Sequence, residues 1–215
     1  MTRVVIGLFK KIVIADTLDQ LTLPLFYTAD QMYLWNTPLK LVLAIVAYSF
    51  KIYVDFSAYS DIAIGSAKVF GIGIPENFNW PYLSHNIADF WQRWHISLYA
   101  WVIDYIYIPL GGSRLGFLRT LFNTLIVFSL TGLWHGAAWN FVLWGVYHGV
   151  LLCLFRIYSV YVAPKLNRYS LFTGKPFHIA SIGATFALVS LGWVFFTVTD
   201  FNAIVAVFSI LLGFR

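Results

Sequence analysis

The chain has 215 residues, of which 60% are hydrophobic and only 11% charged. A soluble globular chain carries about a quarter charged residues, so this composition excludes an ordinary water-soluble domain and points to burial in lipid. The net charge of +5 comes from Lys and Arg scattered between apolar runs, which excludes the gathered basic face of a nucleic-acid groove.

Those cations mark cytoplasmic loops and anionic head groups instead. Aromatics make up 20% of the residues, as suits rings half buried at a membrane interface. Cys153 is the single cysteine, so no internal disulfide can form.

In chain order, the first segment is Met1 to Ile14. Its apolar run is interrupted by Lys10 and Lys11 and followed by no small-residue cleavage site, so a cleavable signal peptide is not expected. Val5, Leu8, Ile12 and Ala15 fall at helical spacing with Lys10 opposite. This predicts an amphipathic helix at the interface or the frayed end of a span. Leu39 to Asp55 reads as a membrane helix in which Lys51 and Asp55, four residues apart, can pair and lower the cost of burial. A second stretch, Ser57 to Phe70, ends at a loop broken by Gly71, Gly73, Pro75 and Pro81. Between these stretches, Asp55, Ser57, Tyr59, Ser60 and Asp61 form a polar island. It reads either as a kink whose polar groups satisfy one another or as a cavity wall touching substrate.

Ile87 to Pro109 is expected to form one long aromatic-rich helix carrying Asp89, Arg93, His95 and Asp104, too polar to face lipid throughout. Apolar stretches follow at Leu118–Trp134, Ala137–Tyr158 and Ile179–Val198, with a shorter one at Ala203–Phe214. The loops Gly111–Arg119 and Arg156–Lys175 carry Arg114, Arg119, Arg156, Lys165, Arg168 and Lys175. They flank a helix pair, and the positive-inside rule puts both on the cytoplasmic side. His135, at the turn between the paired helices, then lies toward the other side.

Two of the chain's histidines have pointed surroundings. His95 follows Asp89 and Arg93, which can neutralise each other one helical turn apart. His135 lies between Gly132 and Gly136, which permit close backbone approach, with Trp134 and Trp139 placed to wall the ring from water. Neutral imidazole can take a proton from a hydroxyl and return it to a leaving group; an interhelical hydrogen bond is the plain structural alternative. His85, His148 and His178 have less to recommend them. No HExxH or cysteine-pair metal motif, no GxSxG elbow and no phosphate-binding loop occurs, so neither a metal site nor a bound cofactor is expected.

Four segments together resemble the membrane-bound O-acyltransferase family, in particular its bacterial alginate O-acetyltransferase-like branch. They are YVDFSAYSDIAIG from Tyr53, PENFNWPYLSHNIADFWQRWHISL from Pro75, DYIYIPLGGSR from Asp104 and GLWHGAAWNFVLWGVYHG from Gly132. The resemblance covers roughly residues 4 to 155, in the family's order. It implies an all-α, multi-pass transmembrane helical bundle enclosing a funnel, here a single domain over 1–215. Residues 156–215 would add a cytoplasmic loop and further membrane helices. In the resemblance, His135 matches the deep catalytic histidine and His95 the second one. Asp55, Tyr59, Asp61 and Arg93 are expected to contact substrate or line the funnel. So are Trp94, Asp104, Trp134, Trp139 and Asn140.

The implied reaction moves an acyl group, commonly acetyl, from a thioester such as acetyl-CoA or an acyl carrier toward a hydroxyl. The acceptor would be an extracytoplasmic polysaccharide or cell-wall polymer, reached in the cell membrane with an extracytoplasmic partner protein. Two departures stand out. Ile103 replaces an arginine usual before the YIPLGG stretch, which would leave Asp104 without a cation. The chain is also about half the family's usual length, which reads as a C-terminal portion or a shortened version. The competing functions are a non-catalytic scaffold that recruits a partner, and a transporter with Asp55, Asp61 and His135 along a polar path.

Overall fold

The computed structural model describes residues 1–166, 169 and 174–214. It is all-α, and four helices among the described residues are long and apolar enough to cross a membrane. The helices are α1 (Thr2–Phe9), α2 (Asp16–Thr22), α3 (Ala29–Trp35), α4 (Pro38–Val69), α5 (Ile87–Arg93), α6 (Ile96–Val102), α7 (Phe117–His135), α8 (Trp139–Ile157), α9 (Ala163–Leu166), α10 (Lys175–Thr197) and α11 (Phe201–Leu211). Wider π turns at Lys10–Ala15, Ile103–Tyr107 and Tyr158–Val162 carry the chain between neighbouring helices. The spanning set is α4, α7, α8 prolonged through α9 to Leu166, and α10.

Three sequence expectations change. Leu39–Asp55 and Ser57–Phe70 are not separate elements but the continuous 32-residue α4. Thr37 starts it by accepting from the Lys40 N–H, with Pro38 in the first turn, where a missing N–H costs nothing. The stretch Ile87–Pro109 is not one helix, because it breaks at Trp94–His95. The expected loop Arg156–Lys175 is helical through Leu166, so Arg156 and Lys165 sit on helix and Lys175 opens α10. Arg168 lies outside the described residues.

The chain divides into two compact units. The first comprises Met1–Asn77 and Trp193–Arg215. In it, α1 lies against α4 in the opposite direction, made possible by small residues: Gly7 meets Ala58 and Ile62, and Gly65 meets Val4. A side chain at either glycine would hold the helices apart. The same face carries ion pairs. Asp61 receives Arg3 at 2.8 Å and Lys10 at 2.7 Å, and Arg3 also grips Glu76 through both terminal nitrogens at 2.5 Å. Further along, Asp55 takes Lys11 at 2.9 Å and Lys51 at 3.7 Å, and Lys51 reaches Asp19 at 3.4 Å. Ionised groups on a membrane helix are expensive unless paired, and here Lys51, Asp55 and Asp61 each lie beside an opposite charge. α11 closes this unit against α3 and α4, burying Ala203, Val207 and Ile210. Asp200 caps its first turn by accepting from the N–H groups of Asn202 and Ala203.

The second unit, Phe78–Gly192, is built on the α7/α8 pair. Gly132 on α7 and Gly145 on α8 face one another, and a Cβ on either would overlap the carbonyl oxygen of Phe141 or Phe128. The two backbones therefore touch, as small residues allow inside a membrane. α7, at 19 residues, covers roughly 28 Å, close to a ~30 Å hydrocarbon core. Its last residue, His135, sits at the limit of that thickness.

Candidate functional site

His95 owes its position to a break that pairing from elsewhere in the chain holds in place. Asn86 caps α5 by accepting the Asp89 N–H at 2.9 Å, and Arg93 pairs with Asp89 at 2.6 Å. α5 would continue, but Phe78 and Trp94 form an antiparallel bridge and the Asn79 N–H donates to the Arg93 carbonyl at 3.0 Å. Trp94 is thus drawn into extended backbone and His95 into the left-handed region, at φ 47° and ψ 54°. Among the described residues only Trp80 and His95 are non-glycine residues with positive φ. That conformation costs roughly 1–3 kcal/mol and clusters at functional sites. The ring of Trp94 is buried, edge-on to Phe78 at 5.1 Å and stacked on Phe90 at 5.6 Å, which anchors the turn.

His135 ends α7, and Gly136 then leads toward α8 with its Cα against the Phe141 ring. Trp134 and Trp144 meet the His135 ring edge-on at 5.0 and 5.1 Å, with Phe141 further off at 6.4 Å. The expected wall needs correcting. Trp139 is 82% exposed and does not cover the imidazole; Trp144, which is 2% exposed, does. Trp144 also touches His148 at 5.2 Å, and His148 touches Trp91 at 5.0 Å, all within the buried core. The sequence did hold a signal for this column: Phe141, Trp144 and His148 recur at i, i+3 and i+7 on one face of α8.

The two singled-out histidines come together in this unit. An open groove of about 340 Å³ is lined by His95, Ser97, Leu98, Trp101 and Trp134, so His95 borders the tryptophan that packs on His135. Burial pushes the His95 imidazole down to about 4, and the nearby His135 adds to the effect. His95 is therefore neutral at physiological pH, the form that accepts a proton or orients a polar group. A second, smaller cavity of about 40 Å³ lies against His95 between α6 and α7.

The remaining candidates are distributed differently. Asp55 and Asp61 belong to the first unit, where both are ion-paired, and Tyr59 there is 69% exposed. Arg93 is engaged by Asp89, and Asn140 is buried in the first turn of α8. Asp104 is exposed and makes no ion pair among the described residues. His85 and His178 meet each other edge-on at 5.3 Å. Among the described residues no three His, Cys, Asp or Glu side chains are grouped to hold a metal ion.

Comparison with known proteins bears on this arrangement. Residues 1–168 match the sequence profile of MBOAT, the membrane-bound O-acyltransferase family. The chain is 41% identical over 97% of its length to a peptidoglycan O-acetyltransferase of Helicobacter pylori. It is 38% identical over 99% of its length to a probable alginate O-acetylase of Azotobacter vinelandii. A teichoic acid D-alanyltransferase of Bacillus subtilis is 29% identical over 71% of the chain. The chain spans 37%, 40% and 47% of these relatives' lengths. With four membrane-crossing helices and this match over most of its length, the chain belongs to the membrane-bound O-acyltransferase family.

Proposed function

We propose that this chain carries the reacting centre of an O-acyltransferase that moves a short acyl group, acetyl, from a thioester donor to a hydroxyl of a cell-surface polysaccharide or cell-wall polymer. The observation that carries the reading is the approach of His95 and His135, far apart in sequence, within the second unit: Trp134, which borders the groove beside His95, packs on the His135 ring, and His135 is near enough to act on the His95 charge. Relatives named for O-acetylation of peptidoglycan and alginate supply the acceptor class.

In this reading neutral His135 accepts the proton of the acceptor hydroxyl as its oxygen attacks the thioester carbonyl. The C–O bond forms and the carbonyl π pair moves onto oxygen, giving a tetrahedral oxyanion that the His95 side offers a hydrogen bond. Collapse breaks the C–S bond, and the imidazolium returns its proton to the departing thiolate. The products are an ester and a free thiol. The thioester is already activated, so the scheme uses no metal or cofactor beyond the donor. Trp144 and Phe141 keep bulk water from the imidazole and limit hydrolysis. The groove would open toward the extracytoplasmic side, where an acceptor or a partner protein presents the hydroxyl, with the basic ends of α7 and α8 in the cytoplasm.

The test is thioester-dependent transfer to a hydroxyl acceptor by the full-length protein in membranes or detergent, comparing wild type with His135→Ala. Loss of transfer in a variant that melts like wild type supports the reading. Equal rates in both would sink it.

A further inference from the structure

The cavity of about 40 Å³ beside His95 has mostly apolar walls. Trp94 and Val102 close it from the α5–α6 side, Ile103 from the following π turn, and Val127 and Thr131 from α7. Thr131 donates its hydroxyl to the Val127 carbonyl at 2.8 Å, so it presents mainly its methyl group elsewhere. His95 and Tyr99 are then the polar side chains that border a mostly apolar space. A water needs roughly 10–15 Å³ of such volume, so about 40 Å³ corresponds to about three water-sized units. An acetyl group has three heavy atoms: a methyl, a carbon and an oxygen. The larger groove of about 340 Å³ also borders His95 but is open and rimmed by Trp101 and Trp134. One imidazole thus stands between a small apolar recess and a roomy aromatic one.

We infer that the recess is the acyl pocket, and that Ile103 and Val127 set the length of acyl chain this protein accepts, limiting it to two or three carbons. This rests on the acyltransferase reading above and names the donor class within it. The open groove is left for the acceptor. Ile103 and Val127 are branched side chains from different elements, and Val127 is 3% exposed. Val127 cannot turn away to admit a longer chain without moving α7, because packed interiors transmit volume changes rather than absorb them, and half-buried Ile103 bounds the recess from the π turn.

The experiment measures binding rather than turnover. Ethyl, butyl and hexyl thioethers of pantetheine, which cannot transfer an acyl group, are titrated into the full-length protein in detergent. Wild type should bind the ethyl compound best and lose affinity with each longer chain. Ile103→Ala and Val127→Ala should reverse that order, each restored methylene being worth roughly fourfold. Val127→Ile should sharpen the preference for ethyl. A wild-type profile that is flat or rises with chain length overturns the assignment. So does a profile left unchanged by both alanine variants while the ethyl compound still binds. The His135→Ala transfer assay fails or succeeds independently, so a lost reaction and a misplaced pocket are told apart.

Discussion

The two units solve the same problem, polar groups in an apolar chain, in opposite ways. The first neutralises them: Asp61 lies between Arg3 and Lys10, and Asp55 between Lys11 and Lys51. The second surrounds them with rings and closely packed glycine backbones, leaving imidazoles that carry no charge near neutrality at His95. A carboxylate locked in two ion pairs has little left to give a substrate. An imidazole held among tryptophans keeps its proton chemistry. Reactivity is therefore sought where neutral imidazoles lie among rings rather than where carboxylates are held in ion pairs.

The comparison breaks most sharply at His135. If the second unit is the chemical one, His135→Gln should cut transfer by roughly 10²–10⁴-fold while the melting temperature stays at the wild-type value. Asp61→Asn should do the reverse. It leaves Arg3 and Lys10 facing each other without their shared carboxylate, and the loss in stability should be roughly 3 kcal/mol, read from chemical or thermal unfolding in detergent.

Gly145→Ala tests the other unit's means of cohesion. The new methyl meets the Phe128 carbonyl oxygen, and overpacking of this kind should cost roughly 2 kcal/mol, again as a lowered melting point. If it is silent, the α7/α8 contact is looser than glycine facing glycine implies.

The pH dependence is a smaller effect with a definite sign. Burial holds His95 near 4 in the fold, against 6.5 as the ordinary value, so the unfolded chain binds more protons between those values. Stability from this site is therefore complete above about 6.5 and is lost as the pH falls toward 4. Replacing His95 with Gln should flatten the unfolding profile across that window. Smallest of all, Glu76→Gln removes the exposed half of the Arg3 cluster and should change stability by under ~1 kcal/mol. Arg3 holds the Glu76 carboxyl below its usual range, so any effect should vanish in acid.

Local rules made some of this legible in advance. Lys51–Asp55 and Asp89–Arg93 pair as i,i+4 spacing predicts. Gly132 and Gly136 flank His135 where close approach does occur, by the α8 backbone at Gly132 and by the Phe141 ring at Gly136. Other features were hidden. Nothing in DFWQRWHISL contains the Gly or Pro that marks a helix break, so one long helix was the natural reading. The interruption comes from Phe78 and Asn79 pairing with Trp94 and Arg93. The burial of Trp144 rather than Trp139 depends on which face of α8 meets α7, and composition does not record that.

The residues alone were enough to establish the membrane class, the apolar spans at α7, α8 and α10, the close approach at Gly132 and the motifs that mark the family. Each of these follows from composition, from 3.6-residue periodicity or from residues within a turn of one another. Only the tertiary structure decided that Asp61 is held by Arg3 and Lys10, that His95 adopts a left-handed backbone, and that a small recess opens between Ile103 and Val127. Those outcomes depend on partners dozens of residues away, and such contacts form only when packing brings separate helices together.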